Sequence, residues 1–545
     1  MGALTDRLQA DRRPVIDADT ARILALPRKG SRPSAQALDA VEASLALPGC
    51  AYPLLPAQRR ALYWVGHCGG LAGIVGVGHG KFLISALAPT VLGAVRPLLL
   101  VPARLKFQTL AELAIWRERY RIGDIHVESY AALSTRPALL DEIAPDLIVA
   151  DECHMLRHRG AARTRRVLRY FRAQPETRFV GLSGTYTSKS LRDYAHLVEL
   201  ALRNASPVPL DYPLVESWSA MVDVGGEPTP YDEVAFAPLL ADTEQPVARD
   251  ALYRLLDRTP GVELTRGQAC DASIEIRAIP LALPAEIATA LDDLDRDWIS
   301  PSGENLVDAV RVAAVRRQLL QGFYYRWDWP GGVVDVPWLA ARASWFSVVR
   351  GIIRSNRRGL DTPAQVAEAI EAGTLTRADA VAAWSLWDAQ RAKPAPPVET
   401  VWLDPFVLTA TAALLRRTGP ALVWARSRAM LSGLSMSMPA IPAGDEPHGY
   451  TPQLALSVAS HGTGLNLQAW NTNILTSVPP GGATVEQLLG RTHRAGQAAD
   501  EVILFYFDSH DSVRDDWRKV LADAEYVRGT TGASQKCLAA RHVRD

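Results

Sequence analysis

A chain of 545 residues is too long for a single hydrophobic core, so two to four domains are expected. Its 48% hydrophobic and 22% charged residues are those of an ordinary globular protein, and 59 basic residues cancel 59 acidic ones, so a nucleic-acid partner has to meet local basic patches rather than a basic whole. The cysteines Cys50, Cys68, Cys153, Cys270 and Cys537 form no Cys-x-x-Cys pair, which argues against a zinc site and for a reducing, cytoplasmic compartment.

The opening stretch Met1-Gly2-Ala3-Leu4-Thr5-Asp6-Arg7 lacks an apolar signal core. No uncharged apolar run reaches the ~18 residues of a membrane span. Residues 1–45 are polar with helical pieces and read as an appendage. Residues 46–205 alternate helical stretches with short apolar runs at 71–75, 97–101, 146–150 and 178–182. Each run is apolar on both faces, as buried parallel strands are.

Residues 206–400 read as a mainly helical, tryptophan-rich insertion carrying Trp298, Trp327, Trp329, Trp338, Trp345, Trp384 and Trp387, closed by a Pro394-Ala395-Pro396-Pro397 linker. The strand pattern returns in 401–530, with runs at 421–425, 454–458, 473–477 and 502–506, and 531–545 reads as a tail. The expected class is α/β, with two parallel-sheet lobes, similar in kind only, around the insertion.

Gly76-Val77-Gly78-His79-Gly80-Lys81-Phe82 follows the first run and opens a helix. Glycines let backbone N–H groups close around phosphate oxygens, the helix N-terminus adds positive charge, and a lysine reaches the outer phosphates. The bland alternative is a glycine-rich turn. Phe82 stands where such a loop needs a Ser or Thr hydroxyl for Mg²⁺.

Asp151 and Glu152 follow the third run, where an aspartate can hold Mg²⁺ and a neighbouring glutamate can orient water. Arg491 and Arg494, three apart and expected on one helix face, are suited to neutralising charge on a transferred phosphoryl group from a second lobe. Their bland reading is a solvated basic helix end. Together these segments point to nucleoside triphosphate hydrolysis between two lobes.

Taken in order, the segments resemble the helicase motifs of superfamily two, most of all its Swi/Snf-type branch of duplex-DNA translocases. Gln58, in Leu55-Pro56-Ala57-Gln58, matches the family's adenine-recognising glutamine. Val101-Pro102-Ala103 and Glu128-Ser129-Tyr130 resemble first-lobe DNA contacts, and Asp151-Glu152-Cys153-His154 resembles the DEAH-type box. Ser183-Gly184-Thr185 resembles motif three and Gly464-Leu465-Asn466-Leu467 motif five. Gln487 through Gln497 resembles motif six with its arginine fingers.

The resemblance covers roughly residues 50–200 and 400–507. It implies two RecA-like lobes and ATP with Mg²⁺ in the cleft between them. By implication Gln58, Gly78, His79, Gly80, Lys81 and Phe82 contact nucleotide, and Asp151 holds the metal. Glu152, Arg491 and Arg494 act in catalysis, and duplex DNA is the partner. Phe82 and the missing arginine-bearing stretch between Val423 and Ser457 depart from the family. They leave two rivals: a degenerate ATPase that clamps nucleic acid or protein, and an RNA-directed helicase. Residues 321–329 and 338–342 resemble small phage-encoded helicases, which would give a host-cytoplasmic location.

Arginine clusters at 157–172 (Arg157, Arg159, Arg163, Arg165, Arg166, Arg169, Arg172) and in the insertion (Arg311, Arg316, Arg317; Arg350, Arg354, Arg357, Arg358) are candidate phosphate contacts. A solvated helix face is the alternative for each. The tryptophans read as core more readily than as base-stacking platforms.

Overall fold

The computed structural model describes residues 17–544 except 31–32, 77, 185, 188, 241–246, 268–269, 304–305, 307–308, 356–359, 361–362, 441–450 and 463–464. Two six-stranded, all-parallel sheets form the two lobes, as expected. The first contains β1 (Leu71–Ile74), β2 (Pro97–Val101), β3 (His126–Ser129), β4 (Leu147–Asp151), β5 (Arg178–Ser183) and β6 (Val262–Leu264), in the order β3-β2-β4-β5-β1-β6.

The second sheet contains β7 (Ser273–Pro280), β10 (Ala421–Ala425), β11 (Gln453–Ser457), β12 (Thr472–Leu475), β13 (Glu501–Asp508) and β14 (Arg541–Arg544). Between β7 and β10 the chain forms a separate antiparallel pair, β8 (Phe323–Trp327) with β9 (Val398–Trp402). The order in the second sheet is β11-β10-β12-β13-β7-β14. Ranked by position in the chain within its own sheet, each lobe reads 3-2-4-5-1-6. The lobes are therefore topological copies, a closer relation than the likeness in kind read from sequence.

The apolar runs form strands because both faces of each sheet are covered. Leu98, Leu100 and Ile148 face one buried cluster, while Leu99, Val101 and Val149 face another. Val423 and Ile474 face one side of the second sheet, and Leu422, Trp424 and Leu475 face the other.

The segment 206–400, expected as an insertion, contributes a strand to each sheet. Its first helices pack on the first lobe through Leu214, Trp218, Phe236 and Leu252, and β6 then extends that sheet beside β1. The chain crosses to β7 in the second sheet. Only the part beyond β8 builds its own small core, around Trp345, Val349, Val366 and Trp384. Trp338, Trp345 and Trp384 are buried, so core is the correct reading for them, whereas Trp298 is 44% exposed.

The expected tail is likewise part of the second lobe, since β14 is its edge strand. The helix Asp511–Thr531 reaches back, and Tyr526 and Val527 join the first lobe's core. In the appendage, Ile23 and Leu45 are buried in the first lobe's cores. Among the described residues no helix is long and apolar enough to cross a membrane.

Candidate functional site

The glycine-rich loop leaves β1, whose four residues are all buried, and enters the helix Lys81–Leu92. Gly78 and Gly80 have φ of 96° and 68°, a region that penalises any Cβ. A Cβ on Gly80 would lie 2.3 Å from Gln58 Nε2. Gln58 braces the loop: its Nε2 donates to Gly80 O at 2.8 Å, and its Oε1 accepts from Leu55 N at 2.7 Å. Lys81 Nζ stands 3.6 Å from Glu152 Oε1. Phe82 borders the same cleft but packs against the first lobe's core, and it brings no hydroxyl.

Asp151 ends β4, and Glu152 follows with φ 55°. A non-glycine residue there carries roughly 1–3 kcal/mol of backbone strain, the kind held in place at working sites. The grip is local: Ser183 Oγ donates to Glu152 Oε2 at 3.2 Å, and His154 Nδ1 lies 3.0 Å from Ser183 Oγ and 3.3 Å from Glu152 Oε2. Ser183, at the end of β5, thus ties the segment resembling motif three to the acidic pair.

The helix Gly482–Thr492 carries Arg491 in its last turn, and Arg494 lies beyond its end rather than on the same helix face. The helix ends where His493 leaves helical geometry (φ −85°, ψ 82°), and Gln497 Nε2 donates to Thr492 O at 3.0 Å. Arg491 is 5% exposed; its guanidinium donates to Gln487 O at 3.1 Å and Leu465 O at 3.3 Å.

These residues meet in a cleft of about 570 Å³ between the lobes. Gln58, Gly78, Gly80, Lys81, Phe82, Asp151 and Glu152 border it from one side, and Asn466, Arg491 and Arg494 from the other. His79, expected with the phosphate contacts, does not line it: its Nε2 lies 3.1 Å from Gly267 O, toward the crossover between the sheets. Thr185 and Gly464 lie outside the described residues.

Sequence reasoning missed the aromatic wall, where Tyr52 meets Trp116 edge-on at 6.1 Å beneath Arg119. It also missed Glu112, which accepts from Gln108 at 2.8 Å inside the cleft. An aromatic and an acid on an ordinary helix give no local signal.

The acidic pair is electrically split. Burial, then the charge of Glu152, pushes the Asp151 carboxyl up to about 7, against the pull of Lys81. Burial opposes ionisation of Glu152 too, but Lys81, the His154 ring and Arg491 together hold it well below the usual carboxylate range. Burial pushes Arg491 down to about 10, with Glu152 opposing, so it stays charged at neutral pH. The charges of Glu152 and Arg491 therefore act on each other across the lobes.

A second cavity, of about 830 Å³, lies on the other side of Glu152, which borders both. Arg104, Arg157, Arg163 and Lys189 of the first lobe and Arg426 of the second line it, against the acids Glu152 and Asp523. Arg163 Nε also donates to Met155 O at 2.6 Å.

Three other arginines of the 157–172 cluster are structural. Arg166 is 5% exposed and donates to Leu133 O, Arg165 donates to Leu360 O at 3.2 Å, and Arg159 stacks on Tyr212. In the insertion, Arg316 pairs with Asp295, and Arg317 pairs with Asp516 at 2.9 Å. The side chains of Arg350 and Arg354, and all of Arg357 and Arg358, lie outside the described residues.

No protein-family model matches this chain, and no curated protein sequence matches it.

Proposed function

We propose that this chain is an ATP hydrolase of the helicase or translocase type, which binds ATP between its lobes and couples hydrolysis to movement along nucleic acid, duplex DNA first. One observation carries the reading. Residues far apart in sequence, from Gly78 to Arg494, border one cleft with the glycine loop, lysine and acidic pair on one lobe and the arginines on the other.

The residues suit a triphosphate. Left-handed glycines open backbone N–H groups, Lys81 is held only by Glu152 among the carboxylates of the described residues, and Arg491 and Arg494 supply charge from across the cleft. Tyr52 and Trp116 offer a base a stacking wall. Asp151 has the pull of Lys81 against burial and the charge of Glu152, and a divalent cation would add further positive charge. Bound there, Mg²⁺ would draw charge from the phosphate oxygens. Asp151 would ligate it, and Phe82 adds no ligand. Glu152, held ionised, orients water and accepts its proton.

The basic groove across Glu152 suits a phosphate backbone, contacted without reading sequence. A nucleic acid there would lie against His154 and so bear on the position of Glu152. The free cysteines fit a reducing cytoplasm.

ATP hydrolysis measured alone and with duplex DNA, single-stranded DNA and RNA tests this reading. Stimulation by duplex DNA supports it, stimulation by RNA alone moves it to an RNA-directed enzyme, and no hydrolysis with any of them removes it. Phe82 favours a second reading, a clamp that binds nucleotide and nucleic acid without efficient turnover. ATP binding without hydrolysis would select it.

A further inference from the structure

His79 and His493 flank the proposed phosphate and arginine groups, and neither lines the cleft. Both turn to the same stretch of chain, the crossover between β6 and β7. At its first end, Gly76 N donates to Thr265 Oγ1 at 2.7 Å, Thr265 N donates to Ile74 O at 3.2 Å, and His79 Nε2 donates to Gly267 O at 3.1 Å. At its other end, His493 Nε2 donates to Ala272 O at 2.7 Å, and Ser273 N donates to Asp500 O at 2.8 Å. His493 is fully buried and sits between Arg491 and Arg494 in sequence.

We propose that His79 and His493 are positioning residues that seat the phosphate loop and the arginine turn on one shared crossover, so that the two halves of the cleft keep register as the lobes move. The inference rests on the nucleotide reading above. The crossover is the natural pivot, because it is the covalent link between the sheets and belongs to neither. A loop fastened at Gly267 and an arginine turn fastened at Ala272 are held within a few residues of chain of each other, while the outer rims of the lobes swing. Burial lowers the pKa of both imidazoles, which keeps them neutral and able to donate to a carbonyl through one ring N–H. Glutamine can place an N–H near the same carbonyl, and alanine cannot.

The test uses the full chain with a non-hydrolysable ATP analogue and Mg²⁺, read by backbone amide exchange. In the wild type, the analogue should slow exchange both in the phosphate loop and in residues 488–497. In His79→Ala the loop should still be protected, and protection of 488–497 should fall at least fivefold. His79→Gln should restore it. His493→Ala should give the same loss, and the double alanine variant should be no worse than either single one, because each cuts the same fastening. In turnover assays the alanine variants should lose kcat about tenfold with KM within about twofold, the scale of a typical coupling between sites. Equal protection of 488–497 in wild type and His79→Ala, or additive losses in the double variant, overturns the inference and leaves the nucleotide reading standing. If the analogue protects nothing in the wild type, the nucleotide reading fails and the inference with it.

Discussion

Replacing Glu152 by glutamine separates binding from turnover. The carboxylate lies 3.6 Å from the Lys81 ammonium, with each side chain 11% exposed. At that distance and an effective dielectric of about 20, the gross attraction is about 4–5 kcal/mol. A triphosphate has to draw Lys81 away from this partner, and glutamine holds no charge against it. Most of the gross term is returned when phosphates and His154 rearrange, so a net gain of about 1.4 kcal/mol, tenfold in affinity, is expected. Turnover should fall about 10²–10⁴-fold, because the group proposed to take the proton from water is gone. Without nucleotide the variant should melt earlier than the wild type, since Lys81 is left buried and unpaired. With nucleotide the gap should close. Titration calorimetry, a steady-state ATPase assay with duplex DNA, and melting with and without nucleotide read the three effects. Hydrolysis at the wild-type rate, or weaker nucleotide binding, refutes the role given to Glu152.

Four other outcomes are expected. Because Asp151 is raised to about 7, it is half protonated near neutrality and Mg²⁺ has to displace that proton; Mg²⁺ affinity should therefore fall as pH drops through 7 and level off about one unit above it, a dependence that Asp151→Asn abolishes in Mg²⁺ titrations. Arg494→Ala should cut hydrolysis about 10³-fold while nucleotide affinity stays near wild type, and normal hydrolysis with DNA present would return that arginine to the surface. Neutralising Arg157, Arg163 and Arg426 should flatten the slope of log affinity against log salt by about 0.9 for each duplex phosphate no longer neutralised, whereas buried Arg166→Gln should lower stability and leave the slope alone. Phe82→Thr should raise Mg²⁺-dependent turnover at a stability cost of about 1–3 kcal/mol for removing the ring from its packing; unchanged turnover would mean that the missing hydroxyl does not limit the site.

The strands bearing the site were readable because parallel sheets are buried on both faces. β1, β2, β4 and β5 coincide with four apolar runs to within a residue or so. β6, β7 and β14 were not readable. β6 is three residues long, β7 alternates apolar Ile274 and Ile276 with charged Glu275 and Arg277, and β14 is a basic edge strand. Their place is set by partners far away in the chain, such as β13 for β7. Helical composition in 206–400 therefore hid β6 and β7, the strands it gives to the two sheets, together with β8. For the site, loop glycines, acidic pair and arginines were legible as residue types in order. The direction of His79 was not, because it depends on where Gly267 lies.

The shared strand order explains why one interface holds a symmetric groove beside an asymmetric cleft. Parallel strands place their following loops at one edge of the sheet. In the groove, Pro102 and Arg104 follow β2 while Arg426 follows β10, the second strand of each lobe in chain order. Tyr130 follows β3 and Val458 follows β11; His154 follows β4 and Pro479 follows β12. Equivalent loops thus face the groove from both lobes. A nucleic acid lying there would meet the same three loops twice, and a change in lobe spacing would shift one set of contacts along the backbone relative to the other. The cleft breaks this symmetry. The first lobe again offers loops after strands, the glycine-rich loop after β1 and Glu152 after β4, but Asn466 and Arg494 precede β12 and β13. One lobe carries the loop and the acids, the other carries the arginines, and neither can complete the site alone. On the proposed function, closure on ATP and the spacing of the duplicated loops would be one motion, with Glu152 on the wall between the two cavities.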